Sequence, residues 1–380
     1  VGLRCKKDTC NKRENYAQKK KRVRTRIASR LSLGSVDKID THAVGGLTLG
    51  CADKTNTGFE ISLNTHPITG KFEWDSDFQI SFNKNKLKGL AGTANAQIVG
   101  YGQWTDVVSV SSVGESLYNF YGFVCDGVYK DLEDLQTSPK PAKYPANGVF
   151  DRTNTVWVGD VKYKDISGPD GVPDGVIDDY DKTNIGSPMP KFTFGWTNTF
   201  RYKNFDLSVF INGSYGNKVY NYLSMKLTHM NSPWTNQLNA VNGRAQLVPI
   251  NPNKVYEDGT MWYNDVSNVM VANPGASIPR ATINDPNDND RISDRYIEDG
   301  SYIRLKNISL GYTFPKKTID KLGLSNLRIY ANIQNLLTIT GYDGYDPEIG
   351  ASTSSVNVYG LDNGRYPSPT VYSFGLNVSF

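Results

Sequence analysis

The last ten residues, Val371 to Phe380, constrain the fold more than any other stretch of the sequence. Large apolar side chains alternate with small or polar ones, so an extended chain places the apolar groups on one face. A tilted strand of about ten residues crosses the hydrocarbon of a membrane, with its apolar face in lipid and an aromatic residue at the interface. The pattern therefore favours a transmembrane β-strand over the edge strand of a soluble sheet. The apolar positions are Tyr372, Phe374, Leu376, Val378 and Phe380.

The composition suits a membrane protein built from strands and excludes one built from helices. The chain has 380 residues, with 35 Gly, 23 Tyr and 12% aromatic residues. It contains no run of about 18 apolar residues, which excludes a transmembrane helix. A barrel remains compatible, because only every second residue of its strands faces lipid. The sequence starts at Val1 with no apolar core of a signal peptide, so we expect a piece of a longer protein.

Residues 1–50 form a basic segment that differs from residues 51–380. Up to Arg30 the sequence has twelve Lys or Arg residues against only Asp8 and Glu14. Such a run could bind nucleic acid, but a binder of single strands needs repeated aromatic residues and this segment offers only Tyr16. We therefore predict no nucleic-acid partner and a disordered or poorly matched segment. The four cysteines show neither zinc spacing nor a defensible pairing: Cys5, Cys10, Cys51 and Cys125.

Alternating runs joined by short turns predict β-hairpins. Residues 59–63 and 72–82 flank a turn at 66–71, and the second run places aromatics on one face and carboxylates or amides on the other. The same design recurs at 192–200 with 207–215, and at 308–314 with 327–333. Ile303 and Leu305 have the opposite parity to Ile308, which predicts either a bulge or a change of environment between them. We expect Trp74, Phe194, Leu207, Ile329 and Phe374 to point outward from an antiparallel sheet, and Asp75, Gln334 and Asn377 to point inward.

Connection lengths alternate as regularly as the side chains. Short connections at 66–71, 201–205 and 315–326 separate long ones at roughly 84–115, 216–300 and 340–369. A membrane barrel has short turns on its periplasmic rim and large loops on its extracellular rim. With these strand directions, all short connections lie on one rim and all long connections on the other, provided that residues 84–191 cross the sheet an even number of times.

Several segments resemble the carboxy-terminal half of SusC/RagA-type TonB-dependent transporters. They occur in the family's order between about Gly58 and Phe380. The resemblance implies an all-β fold, the last eight to ten or so strands of an antiparallel transmembrane barrel of roughly 22 strands. Residues 1–50 do not match. The matching segments are Gly58–Asn64, Tyr118–Tyr129, Gly159–Asp165, Ile185–Gly195, Asp299–Tyr312, Asn332–Leu337 and the terminal strand.

The same resemblance implies a function and partners. The complete protein would import large nutrients, glycans or peptides, across the outer membrane of a Gram-negative cell. A SusD-like surface lipoprotein would act as its lid. TonB would be contacted only through an amino-terminal region that this sequence lacks, and the plug domain of the family would lie in that same region.

The segment from Asp170 to Asp181 carries the spacing of a calcium loop. Acidic residues stand at loop positions 1, 5, 9 and 12, with Gly at position 6. Position 3 is Val172 where Asp or Asn is usual, and no helices flank the segment. Asp165 and Ser167 could supply further oxygens. We predict a calcium site at Asp170, Asp174, Asp178 and Asp181, with an acidic turn on an extracellular loop as the alternative.

No residue pattern points to catalysis or to another cofactor. The three histidines, His42, His66 and His229, have no metal or nucleophile spacing, and no Ser nucleophile motif or phosphate loop occurs. We therefore predict that the chain is not an enzyme; the alternative is a secreted all-β carbohydrate-binding or glycosidase-type protein. Loop aromatics could stack on sugar rings or pack within the loops: Trp104, Trp234, Trp262 and Tyr263.

Overall fold

The computed structural model describes residues 21–24, 29–37, 52–90, 96–102, 106–350 and 357–380. One antiparallel sheet of nine strands dominates it, and each strand pairs with its neighbours in chain order. Within the described residues the first and last strands do not pair with each other, so the sheet is open, as predicted for part of a barrel. The strands are β1 (Lys21–Arg24), β2 (Ser29–Asp37), β3 (Ala52–Ile68), β4 (Phe72–Leu90), β5 (Phe192–Tyr202), β6 (Phe205–Tyr215), β7 (Tyr302–Thr313), β8 (Asn326–Thr340) and β9 (Val371–Ser379).

The basic segment 1–50 is described only in part. Its residues 21–24 and 29–37 are β1 and β2, and β2 pairs with β3. The rest of this segment, with Cys5 and Cys10, lies outside the described residues, and so does Cys51. The prediction that residues 1–50 are disordered or poorly matched therefore stays a prediction for most of its length.

The register separates the sheet into an apolar face and a polar face. Residues directly opposite each other in an antiparallel pair lie on the same face. One continuous row of partners is apolar: Trp74, Phe200, Leu207, Leu310, Ala331 and Phe374. The neighbouring row is polar: Asp75, Thr199, Ser208, Ser309, Asn332 and Ser373. The predicted division of side chains between two faces is confirmed.

A β-bulge lies where the change in parity predicted a bulge or a change of environment. Lys306 has no partner on either neighbouring strand, and relative to β6, where the partners Phe210 and Ile211 are consecutive, it is an extra residue in β7. On β8 the partner of Asn307 is Gln334 and that of Leu305 is Leu337. The bulge restores the apolar side chains on both sides of it to one face.

Short and long connections lie on opposite rims, as predicted. The short ones join β3 to β4, β5 to β6 and β7 to β8, and α3 (Lys316–Ile319) lies in the last of these. The described part of residues 91–191 adds no strand to the sheet, in agreement with an even number of crossings. β4 is longer than predicted and continues past residue 83 to Leu90. This extension is stabilised by the first long loop, because Leu87 is buried there and its backbone N–H donates to the carbonyl oxygen of Glu115 at 2.9 Å.

The described parts of the three long connections, residues 91–191, 216–301 and 341–370, pack into one loop body. Small sheets join them; one pairs Lys218–Asn221 with both Ile297–Asp299 and Leu361–Asp362. A buried cluster contains Phe120 from the first loop, Tyr220 and Tyr296 from the second, and Leu361 from the third. Apolar packing between loops, which alternation along one strand does not reveal, therefore orders these long segments.

Short elements make up the rest of the loop body. Asp131 caps α1 (Leu132–Thr137) by accepting from the backbone N–H of Asp134, and Asn221 caps α2 (Tyr222–Thr228) in the same way through Ser224. No helix in the described part of the chain is both long and apolar enough to cross a membrane. The remaining strands are Gln97–Tyr101, Val107–Ser112, Asn119–Gly122, Cys125–Val128, Lys140–Pro141, Val161–Tyr163, Val176–Ile177, Thr183–Gly186, Leu247–Pro249 and Val269–Val271.

Candidate functional site

The apolar face of the sheet exposes large side chains that water would not favour. Phe374 is 84% exposed and Leu376 60%, although both lie in the middle of β9. Large contiguous apolar surfaces are rare on soluble monomers and mark contact with a partner or a membrane. The apolar face therefore requires an apolar surrounding.

Aromatic rings border this face in two rows. Near the long loops the ring pairs Phe59–Phe82, Phe82–Phe192 and Phe192–Tyr215 have centroids 4.5, 5.5 and 5.1 Å apart. Near the short turns the pairs Trp74–Phe200, Phe205–Tyr312 and Tyr312–Phe314 have centroids 5.9, 4.7 and 5.0 Å apart. Phe72 also belongs to the row near the short turns, with its ring 6.2 Å from that of Phe200, and it lies ten residues before Phe82 on β4, which corresponds to roughly 25 Å for a tilted strand. Membrane barrels have an apolar band of about this height between aromatic girdles.

Two polar side chains on the apolar face, Asn198 and Ser76, each accept a hydrogen bond from an indole. Trp74 donates its Nε1–H to Oδ1 of the buried Asn198 at 2.9 Å, and Trp196 donates to Oγ of Ser76 at 2.9 Å. A polar group without a partner costs several kcal/mol or so in hydrocarbon. These pairs make both polar residues compatible with an apolar surrounding. Sequence analysis missed them, since the only signal is a polar residue at an apolar position of the alternation.

The polar face carries ion pairs across neighbouring strands. Arg201 on β5 contacts Asp75 and Glu73 on β4 at 2.5 and 3.4 Å. Arg328 on β8 contacts Asp206 on β6 at 2.6 Å, across β7. Several charged side chains lie close together on this face, and they require water or polar partners. This face therefore suits the water-filled interior of a barrel.

A cavity of about 500 Å³ lies where the polar face meets the loop body. Thr193, Ser214 and Tyr302 line it from the polar face, and Tyr359 and Arg365 line it from the third loop. Its position at the loop-side ends of the strands, between the polar face and the loops, makes it a candidate for contact with a transported molecule.

Arg304 fixes the third loop to the sheet beside this cavity. Its almost fully buried guanidinium donates to Oδ1 of Asp346 at 2.5 Å and to Oε2 of Glu348 at 2.7 Å. Its Nε–H donates to Oγ1 of Thr338 at 2.9 Å. A buried cation is tolerated when it is paired and hydrogen-bonded in this way. The loop wall of the cavity is therefore held rigidly against β7.

The four predicted calcium ligands are dispersed among different contacts. Asp181 is fully buried, and its carboxylate accepts from the backbone N–H groups of Ile166, Ser167 and Asp178. Asp178 and Asp174 accept from the backbone N–H groups of Tyr180 and Val176. Asp170 is exposed and Asp165 keeps one buried oxygen without a partner. The arrangement organises an acidic loop, and calcium binding there stays a prediction.

Within the described residues, a single group brings three potential metal ligands within 4.8 Å of one another: His229, Asp285 and Asp290. Nε2 of His229 lies 2.6 Å from Asp285 Oδ2, and Nδ1 lies 3.1 Å from Asp290 Oδ2. Burial lowers the pKa of His229, but the hydrogen bonds to the two carboxylates outweigh it and raise the pKa to about 9. Both ring nitrogens then carry protons at neutral pH. The group is an ion triad, which histidine spacing in the sequence did not reveal.

The loop aromatics divide between packing and exposure. Trp262 packs on the loop core and meets Tyr263 edge to face at 5.6 Å. Trp234 is 93% exposed. Trp104 lies outside the described residues.

Known proteins resemble the chain over most of its length. TonB-dependent receptor P3 of Formosa agariphila is 32% identical over 333 residues, which are 86% of this chain and 28% of the relative. TonB-dependent receptor SusC of Bacteroides thetaiotaomicron is 25% identical over 346 residues, which are 90% of this chain and 28% of SusC. The chain thus spans less than a third of the length of these relatives. No family model matches it.

Solved structures show the same fold. The RagAB peptide transporter matches with a TM-score of 0.61 and 17% identity over 93% of this chain and 33% of that chain. The RagAB peptide importer in its open-open state matches with a TM-score of 0.55 and 18% identity, over 93% of this chain and 32% of that chain. These matches support a transmembrane barrel over a secreted carbohydrate-binding or glycosidase-type protein.

Proposed function

Because this chain is a barrel segment of the SusC/RagA type of TonB-dependent receptor, we propose that its protein imports a large nutrient, of the glycan or peptide class, across the outer membrane of a Gram-negative cell. The observation that carries the proposal is the division of the sheet into an apolar, aromatic-bordered face and a charged face. Lipid would contact the apolar face, and the transported molecule would pass along the polar face. The prediction that the chain is not an enzyme agrees with relatives that are named as receptors and transporters.

Uptake measurements test this proposal. A strain lacking the gene should lose growth on one or more glycans or peptides as carbon source, and the intact gene should restore it. Membrane fractionation should place the protein in the outer membrane. Unchanged growth on every glycan and peptide mixture tested, or recovery in the soluble fraction, would contradict the proposal.

We also propose that the loop body docks a SusD-like surface lipoprotein that covers the barrel. Support comes from apolar side chains of the second loop that are far more exposed than usual: Trp234 at 93%, Val255 at 83% and Ile283 at 78%. TonB would contact parts of the protein that this chain does not include. Co-purification with an affinity-tagged lipoprotein encoded beside this gene tests the docking, and Trp234→Ala should weaken it. Equal recovery with both forms would exclude a role for Trp234.

Calcium at the acidic loop is a further proposal. Asp170, Asp174 and Asp178 place exposed or half-exposed carboxylates along one segment, and the unpaired buried oxygen of Asp165 lies in the same loop. Terbium luminescence excited through Tyr180 tests it, with Asp174→Ala as the variant. Equal signals from both proteins would leave only an acidic turn.

A further inference from the structure

Two cationic side chains line the cavity between the polar face and the third loop. Lys306 reaches it from β7, and Arg365 from the third loop. Lys306 is the extra residue of the bulge, a feature that commonly redirects a side chain at functional positions. The bulge that restores the apolar face also supplies a cation to the cavity.

Arg365 stands on a turn that is fixed by a buried carboxylate. Asp362 accepts from the backbone N–H groups of Gly364 and Arg365 at 2.9 and 3.0 Å. The other oxygen of Asp362 accepts from the hydroxyl of Tyr342 at 2.5 Å. Gly364 has a φ of +82°, a conformation that favours glycine. The backbone at Arg365 is therefore fixed before any ligand arrives, which lowers the entropy lost on binding.

Cations outnumber carboxylates along this cavity. Arg304 and Lys306 share Oε2 of Glu348, at 2.7 and 3.0 Å, and Arg304 also holds Asp346. Arg365 donates only to the backbone carbonyl oxygen of Glu348 at 3.2 Å. Among the residues that the structure describes, no carboxylate pairs with Arg365. One guanidinium and part of the ammonium of Lys306 thus face the cavity without a full complement of acceptors.

We propose that this cavity binds a carboxylate group of the imported molecule, chiefly through Arg365 and assisted by Lys306. The planar guanidinium offers two parallel N–H donors that match a carboxylate, and such charge-assisted bonds are about twice as strong as neutral ones. Tyr302 and Tyr359 supply aromatic surface and hydroxyl groups for the uncharged part of the ligand. The inference rests on the proposed function and narrows it to acidic substrates: uronic-acid glycans or peptides with a free carboxyl terminus.

Binding to matched probes tests the proposal. The full-length protein, purified in detergent, is titrated calorimetrically with trigalacturonate and the neutral maltotriose, and with trialanine and trialanine amide. One carboxylate probe should bind at least about tenfold more tightly than its neutral counterpart, a difference of ~1.4 kcal/mol. The pair that shows the difference identifies the source of the carboxylate, glycan or peptide.

Variants separate the subsite from general electrostatics and from folding. Arg365→Ala should remove the difference within the responding pair, and Arg365→Lys, which keeps the charge but not the paired donors, should retain part of it. Lys321→Ala removes an exposed charge from the opposite rim and should change nothing. No carboxylate preference in either pair, or a preference that survives Arg365→Ala, overturns the subsite. The growth measurements on the deletion strain test the transport proposal independently of either result.

Discussion

His229 gives the loop body a contact whose strength depends on pH. Its imidazolium lies between Asp285 and Asp290, and Lys226 approaches Asp290 at 3.4 Å. The contact ties the end of α2 to the turn at residues 285–290. That turn also reaches the first loop, since Asn289 accepts from the backbone N–H of Val161 at 2.7 Å.

The raised pKa of His229 determines the direction of the pH effect. A folded pKa of about 9, above the ordinary value of 6.5 for histidine, means that the stabilisation is complete below about pH 6.5 and is lost as the pH rises through 9. We expect the free energy of local opening at α2 to fall by about 2–3 kcal/mol between pH 6 and pH 10. Hydrogen exchange, corrected for the intrinsic rate, measures it. His229→Gln should be less stable at pH 6 and lose this pH dependence; a dependence that persists in His229→Gln would contradict the assignment.

Asn198 and Trp74 form a polar pair on the apolar face, and their coupling can be measured. Asn198→Ala leaves the indole N–H of Trp74 without its acceptor, which should cost about 1–3 kcal/mol of unfolding free energy. Adding Trp74→Phe removes the orphaned donor, so the double variant should be less impaired than the sum of the single changes. Urea unfolding of the protein in lipid vesicles provides the comparison. Additive effects would show that the hydrogen bond contributes nothing.

At the level of the strand, β9 tests the assignment of the two faces. Phe374 belongs to the apolar face and its neighbour Ser373 to the polar face. An arginine on the lipid face of a barrel costs roughly 2–4 kcal/mol at the membrane midplane, whereas lumen substitutions are tolerated. We expect Phe374→Arg to lower the unfolding free energy in lipid vesicles by about this amount and the matched Ser373→Arg to have little effect. A larger loss of unfolding free energy in Ser373→Arg than in Phe374→Arg would show that the two faces are assigned wrongly.

Sequence reasoning succeeded where the deciding signal is local. Period-two alternation assigned Phe374 and Ser373 to opposite faces, and a change of parity predicted an irregularity between Leu305 and Ile308, where the structure has a bulge. It could not find contacts between distant segments. His229 meets Asp285 56 residues away, and Trp74 meets Asn198 124 residues away. No periodicity or spacing in a single sequence reveals these two contacts. The packing that orders the long loops is likewise invisible in the sequence.

For the whole molecule, the loops should behave as one cooperative unit. Tyr220 is fully buried in the cluster shared by the three long loops, where it packs near Phe120 and Tyr296. Its strand also pairs with the third loop at Leu361. Removing this side chain leaves a large cavity at the point where all three loops meet, and such truncations cost about 3–5 kcal/mol.

We therefore expect Tyr220→Ala to raise hydrogen exchange in all three long loops together while the strands of the sheet stay protected. The strands keep their own ladders of backbone hydrogen bonds, so their protection does not depend on the loop core. Trp234→Ala, which removes an aromatic side chain that is 93% exposed, is the matched control and should leave exchange unchanged. If Tyr220→Ala raised exchange only in residues 216–301, the loops would be separate units resting on a common rim. If protection of β5 and β6 fell as well, the sheet itself would depend on the loop body for its stability.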